Sequence, residues 1–122
     1  MRLVLDNDPD VTTVRRYAAG EIEAGGQLLR APCLLSASQV VAGWSARSVA
    51  TLAEADLAAV LALAPRVLLL GTDAAGERVP APLRRQLEAR GIAVEVMGLG
   101  AACRTYNVLV QEKRAVVAGL FP

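Results

Sequence analysis

Ile92-Ala93-Val94-Glu95-Val96-Met97-Gly98-Leu99-Gly100-Ala101-Ala102-Cys103-Arg104-Thr105-Tyr106-Asn107-Val108-Leu109 holds two structural periods joined by one turn. Up to Met97 the residues suit a strand; beyond the Gly98–Gly100 turn they read as a helix through Glu112. The same order appears upstream. Val67-Leu68-Leu69-Leu70 is a short apolar run ending in Gly71-Thr72, as a buried strand would. Pro80 and Pro82 then open a helix in which Leu83 and Leu87 share a face and Arg84 sits four before Glu88. Gly91 ends it. Ala115–Phe121 reads as the last strand. Strand, helix, strand, helix, strand argues for an α/β sheet with helices against it.

The first half has a different texture. Residues 1–11 carry Asp6, Asp8, Pro9 and Asp10 with little apolar content and are expected to form an arm. A single domain over residues 12–122 follows. From Val14 to about Val49 the chain reads as a β-meander: Glu21-Ile22-Glu23 alternates, Gly25-Gly26 supplies a hairpin turn, and Gln27–Arg30 resumes. Cys33–Ser36 and Val40–Trp44 read as further strands. These hairpins either form an additional β layer or lengthen the sheet. Thr51 and Glu54 have capping-box spacing ahead of Leu57, Val60, Leu61 and Ala64, and Pro65 stops that helix.

Composition narrows the function classes. At 122 residues the chain is one domain, and 54% hydrophobic content excludes disorder as its resting state. Thirteen basic against twelve acidic residues leave a formal charge of +1, unlike the basic footprint of a nucleic-acid binder. Cys33 and Cys103 lack metal or redox spacing and are expected to be buried, reduced thiols. The start reaches acid too early for a secretory signal, and no apolar run approaches the roughly 20 residues that span a bilayer. The expectation is a cytoplasmic protein with no membrane span, no metal and no cofactor.

The chain has no histidine, so Ser–His–Asp and Cys–His pairs and histidine-ligated zinc are impossible. Gly71–Gly76 lacks the lysine and spacing of a phosphate loop. No catalytic residue can be named. What remains is a crevice beyond the carboxyl ends of two strands, where α/β sheets bind ligands. Gly71, Thr72 and Asp73 would meet Gly98, Gly100, Arg104 and Thr105 there, and helix N–H groups would suit a small anion. In the alternative, the glycines only permit a turn, Arg104 pairs with an acid such as Asp73 and Thr105 satisfies a carbonyl. Tyr106 is expected to bury its ring, and Asn107 to reach a loop by a buried hydrogen bond. Trp44, the sole tryptophan, is either a core anchor or an exposed contact. Cys103 is expected to be inert, and Arg78, Arg84, Arg85 and Arg90 to form a solvated face.

The Gly71-Thr72 strand end, Val94–Met97, Ala101–Leu109, Glu112 and Arg114–Ala118 together resemble the Mth-type domain family of unknown function, from about Val14 to Phe121. The resemblance implies a three-layer α/β domain: a central mixed sheet, helices packed on it and an extra N-terminal β-hairpin layer. It brings no catalytic residue set. Mitochondrial relatives act as partners in building respiratory complex I, which implies an assembly role and a protein partner. Family members often carry a polar residue where this chain has Leu99, which weakens a ligand contact at that position. Two readings follow. One is a non-catalytic assembly module whose contact surface includes Trp44, Arg104, Asn107 and Gln111. The other is an anion binder or enzyme in the crevice, with Asp73 as its acid or base. Oligomeric state is open.

Overall fold

The computed structural model describes residues 10–122. Of the expected arm, only Asp10 and Val11 fall within them, and Val11 packs against the core. β1 (Val14–Ala18), β2 (Glu21–Ala24) and β3 (Gln27–Leu29) form an antiparallel meander. Its second turn is Gly25-Gly26, with φ of 57° and 75°. Two successive positive φ values define the hairpin turn that glycine pairs favour.

The meander stops there. β4 (Cys33–Leu35) and β5 (Val40–Ala42) belong instead to a five-stranded sheet of order β5-β4-β8-β6-β7. Every residue of β4 is buried, which an interior strand requires and a meander strand with one wet face does not offer. Trp44 lies beyond β5 rather than in a strand.

The rest of the sheet is β6 (Val67–Thr72), β7 (Ala93–Met97) and β8 (Val116–Phe121), with β6 parallel to both others. α2 (Ala81–Ala89) carries the chain from β6 outward to β7, and α3 (Leu99–Gln111) carries it back over β6 to β8. Crossovers of one hand that run in opposite directions put their helices on opposite faces. Leu68, Leu70 and Val117 therefore face α1 (Glu54–Ala62) and α2 in one core. Leu69, Ala118 and Leu120 face α3 and the meander in the other. The result is three layers, with the meander as the extra β layer.

α1 starts two residues later than the Thr51–Glu54 spacing suggests. The Ser48 and Thr51 hydroxyls bond to each other at 2.7 Å. The cap is Ala53, whose N–H donates to the Asp56 carboxylate at 2.8 Å. α2 opens on Pro80 as expected and ends before Gly91, whose φ is 78°.

α3 ends in a Schellman motif: Lys113 N–H donates to Val110 O at 3.1 Å and Arg114 N–H to Leu109 O at 3.0 Å. Lys113 sits there at φ 61°, where a Cβ is strained. Lys113→Gly should raise stability by about 0.5–1 kcal/mol, the relief of strain exceeding glycine's added unfolded-state entropy. A higher urea midpoint with unchanged slope is the expected readout.

Candidate functional site

β6 and β7 are parallel neighbours, so the loops after them converge beside the start of α3. Asp73 Oδ1 accepts the Leu99 N–H at 3.0 Å. A carboxylate of the protein itself thus occupies the position at the helix N-terminus where an anion would be held. Thr72 Oγ1 turns back to accept the Ala74 N–H at 3.1 Å.

Both flanking glycines permit close packing. A Cβ on Gly71 would lie 2.6 Å from the Ala102 Cβ, so glycine lets α3 rest directly on β6. A Cβ on Gly100 would come within 2.8 Å of the Tyr17 ring carbons. The Tyr17 ring from β1 covers Gly100, and Arg104 Nη1 donates to the Tyr17 hydroxyl. This corrects the expected Arg104–Asp73 pair. The Asp73 carboxylate is held by Leu99, and the exposed Arg104 turns to the meander.

The structure brings Gly71, Asp73, Gly98 and Leu99 together, while Tyr17 fills the space over Gly100. Thr105 is half-buried on α3. Nothing in the sequence singled out Tyr17. The one available signal was a glycine inside an otherwise apolar helix, which often marks close approach by another group.

The proposed contact residues divide. Trp44 is 5% exposed. Its Nε1–H donates to the Asp56 carbonyl at 3.0 Å, and its ring packs on Phe121 with centroids 5.4 Å apart. It is a core anchor and not part of an exposed contact surface. Asn107 is 2% exposed and also faces inward. Its Oδ1 accepts the Val14 N–H at 2.8 Å and its Nδ2–H donates to Val14 O at 2.9 Å. Tyr106 beside it is fully buried and donates to Thr12 O at 2.7 Å, and burial pushes its phenol pKa up.

Arg104 remains exposed, and four residues on Val108 is 57% exposed. Gln111 continues this stripe half-buried, its Nε2 enclosed with no hydrogen-bond partner among the described residues.

Cys33 and Cys103 are fully buried in the core between α3 and the sheet, and burial pushes both thiols up to about 12. For Cys103, nearby Cys33 and Asp73 add to the rise and Arg104 opposes it. A raised thiol pKa favours the folded state below the ordinary value of 9.0, and that advantage is lost as pH climbs from 9.0 toward 12. Each thiol should remove roughly 1.4 kcal/mol of stability per pH unit in that window. Urea unfolding at pH 8 and pH 10 should show the wild type losing roughly 2–3 kcal/mol more than a Cys33→Ala/Cys103→Ala variant.

Among the described residues no helix is long and apolar enough to cross a membrane. A family model described as protein of unknown function (DUF498/DUF598) matches residues 14–121. The chain is 34% identical over 113 residues to NADH dehydrogenase (ubiquinone) 1 alpha subcomplex assembly factor 3 of Danio rerio. That alignment covers 91% of this chain but only 64% of the relative's length. A Xanthomonas campestris protein solved by NMR superimposes with a TM-score of 0.81 at 30% identity, covering 98% of this chain and 92% of its own. A Bordetella pertussis protein described as an Mth938-like domain gives 0.77 at 29% identity, covering 100% and 92%. With residues 14–121 matched and the three-layer architecture shared, this chain belongs to the DUF498/DUF598 family of proteins of unknown function.

Proposed function

We propose that this chain is a non-catalytic binding module that assists the assembly of a protein complex, an NADH dehydrogenase such as respiratory complex I being the first to test. The observation that carries the reading is the outward side of α3. Arg104 and Val108 stay exposed on a helix whose inward side is locked to both sheets by Asn107, Tyr106 and Ala102. A rigid helix with an exposed β-branched apolar residue beside a guanidinium suits a protein surface, because little ordering entropy is lost on contact. The assembly-factor relative, aligned over 91% of this chain, supports the same reading. The crevice gives less support to an anion binder, since an incoming anion would have to displace Asp73 from the Leu99 N–H.

The test is affinity capture from the native host with wild-type chain and with Val108→Asp. Val108 is more than half exposed, so the variant should keep its melting temperature. The expected result is subunits of a respiratory complex on the wild type and loss of most of them on the variant. Equal capture by both chains would remove α3 as the contact. Co-purification of a small anion without protein would return the crevice to first place.

A further inference from the structure

The described sheets present four strand edges, and three are blunted. β3 and β5 are three residues long, and β1 carries a register shift between Val14 and Arg16. β7 differs. It is five residues long, in unbroken register with β6, and contains neither lysine nor proline. Natural edges are protected by shortness, irregular register, proline or charge; β7 has only the single charge of Glu95, and so lightly guarded an edge is a template for another strand.

The backbone direction is fixed. Ala93 N–H donates inward to Arg66 O at 2.9 Å, and alternation along a parallel strand turns the polar groups of Val94 and Val96 outward. Val94 O indeed faces away from β6, where it accepts Arg84 Nη1 at 3.1 Å. A groove of about 770 Å³ follows this edge, bounded by Glu77, Val79, Ala81, Arg84 and Glu88.

On the α2 side the charges balance, Glu77 and Glu88 against Arg78 and Arg84, and Glu95 on the other side of the strand is the one excess carboxylate. Arg84 is engaged by Glu88 at 3.9 Å. Exposed Glu95 has no ion pair or hydrogen bond among the described residues. Glu95 stands in register with Leu69, on the α3 side of the sheet, whereas Val94 stands with Leu68 on the α2 side.

We propose that β7 receives an extended segment of a protein partner as an added strand. Alternate side chains of that segment are apolar, against Val79 and Ala81, and basic, against Glu95. The inference rests on the reading of the chain as a protein-binding module and gives it a contact separate from α3. Main-chain bonds from Val94 N–H and to both polar groups of Val96 supply the register, the Val94 carbonyl being already held by Arg84, and the two sides of β7 supply the alternation. A second copy of this chain fits poorly: pairing that uses both Val94 and Val96 sets Glu95 opposite Glu95, and like charges directly opposed are destabilising.

The test is a titration of the isotope-labelled full chain with a capped heptapeptide alternating valine and lysine, followed by amide NMR. A valine–glutamate peptide is the counterpart. The expected result is shifted, exchange-protected amides at Val94 and Val96, with the lysine peptide binding at least tenfold tighter. Glu95→Lys, at an exposed position, should reverse that preference.

Equal binding of both peptides, or shifts centred on Val108, overturns the proposal. A concentration-dependent dimer that protects β7 without peptide overturns it in favour of a second copy. The capture experiment reads Val108 and remains interpretable in every case. Failure at β7 leaves the assembly reading standing, and loss of the α3 contact leaves the peptide result standing.

Discussion

Asn107→Leu is expected to lower the unfolding free energy by about 3–4 kcal/mol. Leucine keeps the branched heavy-atom skeleton but is bulkier, so at a buried site some overpacking adds to the loss. What is lost is the pair of hydrogen bonds that hold β1 to α3 through Val14 N–H and Val14 O. Val14 is fully buried, and water cannot replace the amide. Each dry, unbonded backbone group costs about 1–3 kcal/mol. Chemical denaturation checks this: a midpoint drop with unchanged slope is expected, and a loss below about 1 kcal/mol would mean that the meander re-pairs elsewhere. Asn107→Asp should also fail, because a carboxylate accepts from Val14 N–H but repels Val14 O.

Trp44→Ala is expected to cost about 3–5 kcal/mol in the isolated chain, the usual range for deleting a buried large aromatic. The indole lies over Gly119 alongside Leu70 and packs on Phe121, so its removal leaves a cavity that the strand backbone cannot close. It also strips the Asp56 carbonyl of its indole donor. Trp44→Phe should keep part of the packing and cost less. Differential scanning calorimetry of the purified protein separates this role from a contact role. A contact residue would leave the melting temperature in place, whereas a core anchor lowers it.

How much of this was legible in the sequence follows from the range of each interaction. The β6–α2–β7–α3–β8 order was readable because proline, glycine and apolar spacing act locally, and Pro80, Gly91 and Gly98 stand at the element ends. The partition of the first half was not. Cys33-Leu34-Leu35 looks like any short strand, and its transfer to the central sheet depends on β8, 85 residues further on by the register Leu34↔Gly119. The position of Thr51 misled for a local reason, since Ser48 competed for its hydroxyl.

At the candidate site, the meeting of the Gly71–Asp73 and Gly98–Gly100 loops was inferable from parallel topology. The occupants were not. Which acceptor Arg104 finds depends on Tyr17, 87 positions away on β1 of the meander, and no spacing rule reaches that far. Trp44 was undecidable because a lone tryptophan between glycine and serine suits a core as well as a surface. Gly119 settles it in space by leaving room for the indole.

The placement of β8 has a kinetic consequence. It follows every other described element in chain order, yet it lies at the centre of the larger sheet, with β4 on one side and β6 on the other. The antiparallel pair β4–β5 and the parallel pair β6–β7 have no common border without it. During synthesis each can pre-form only as a fragment, with apolar strand edges exposed until β8 emerges. The sheet closes late and by long-range pairings, the slow step of β-rich folding. A nascent chain stalled before Val116 would therefore be a client for chaperones rather than a partly working domain.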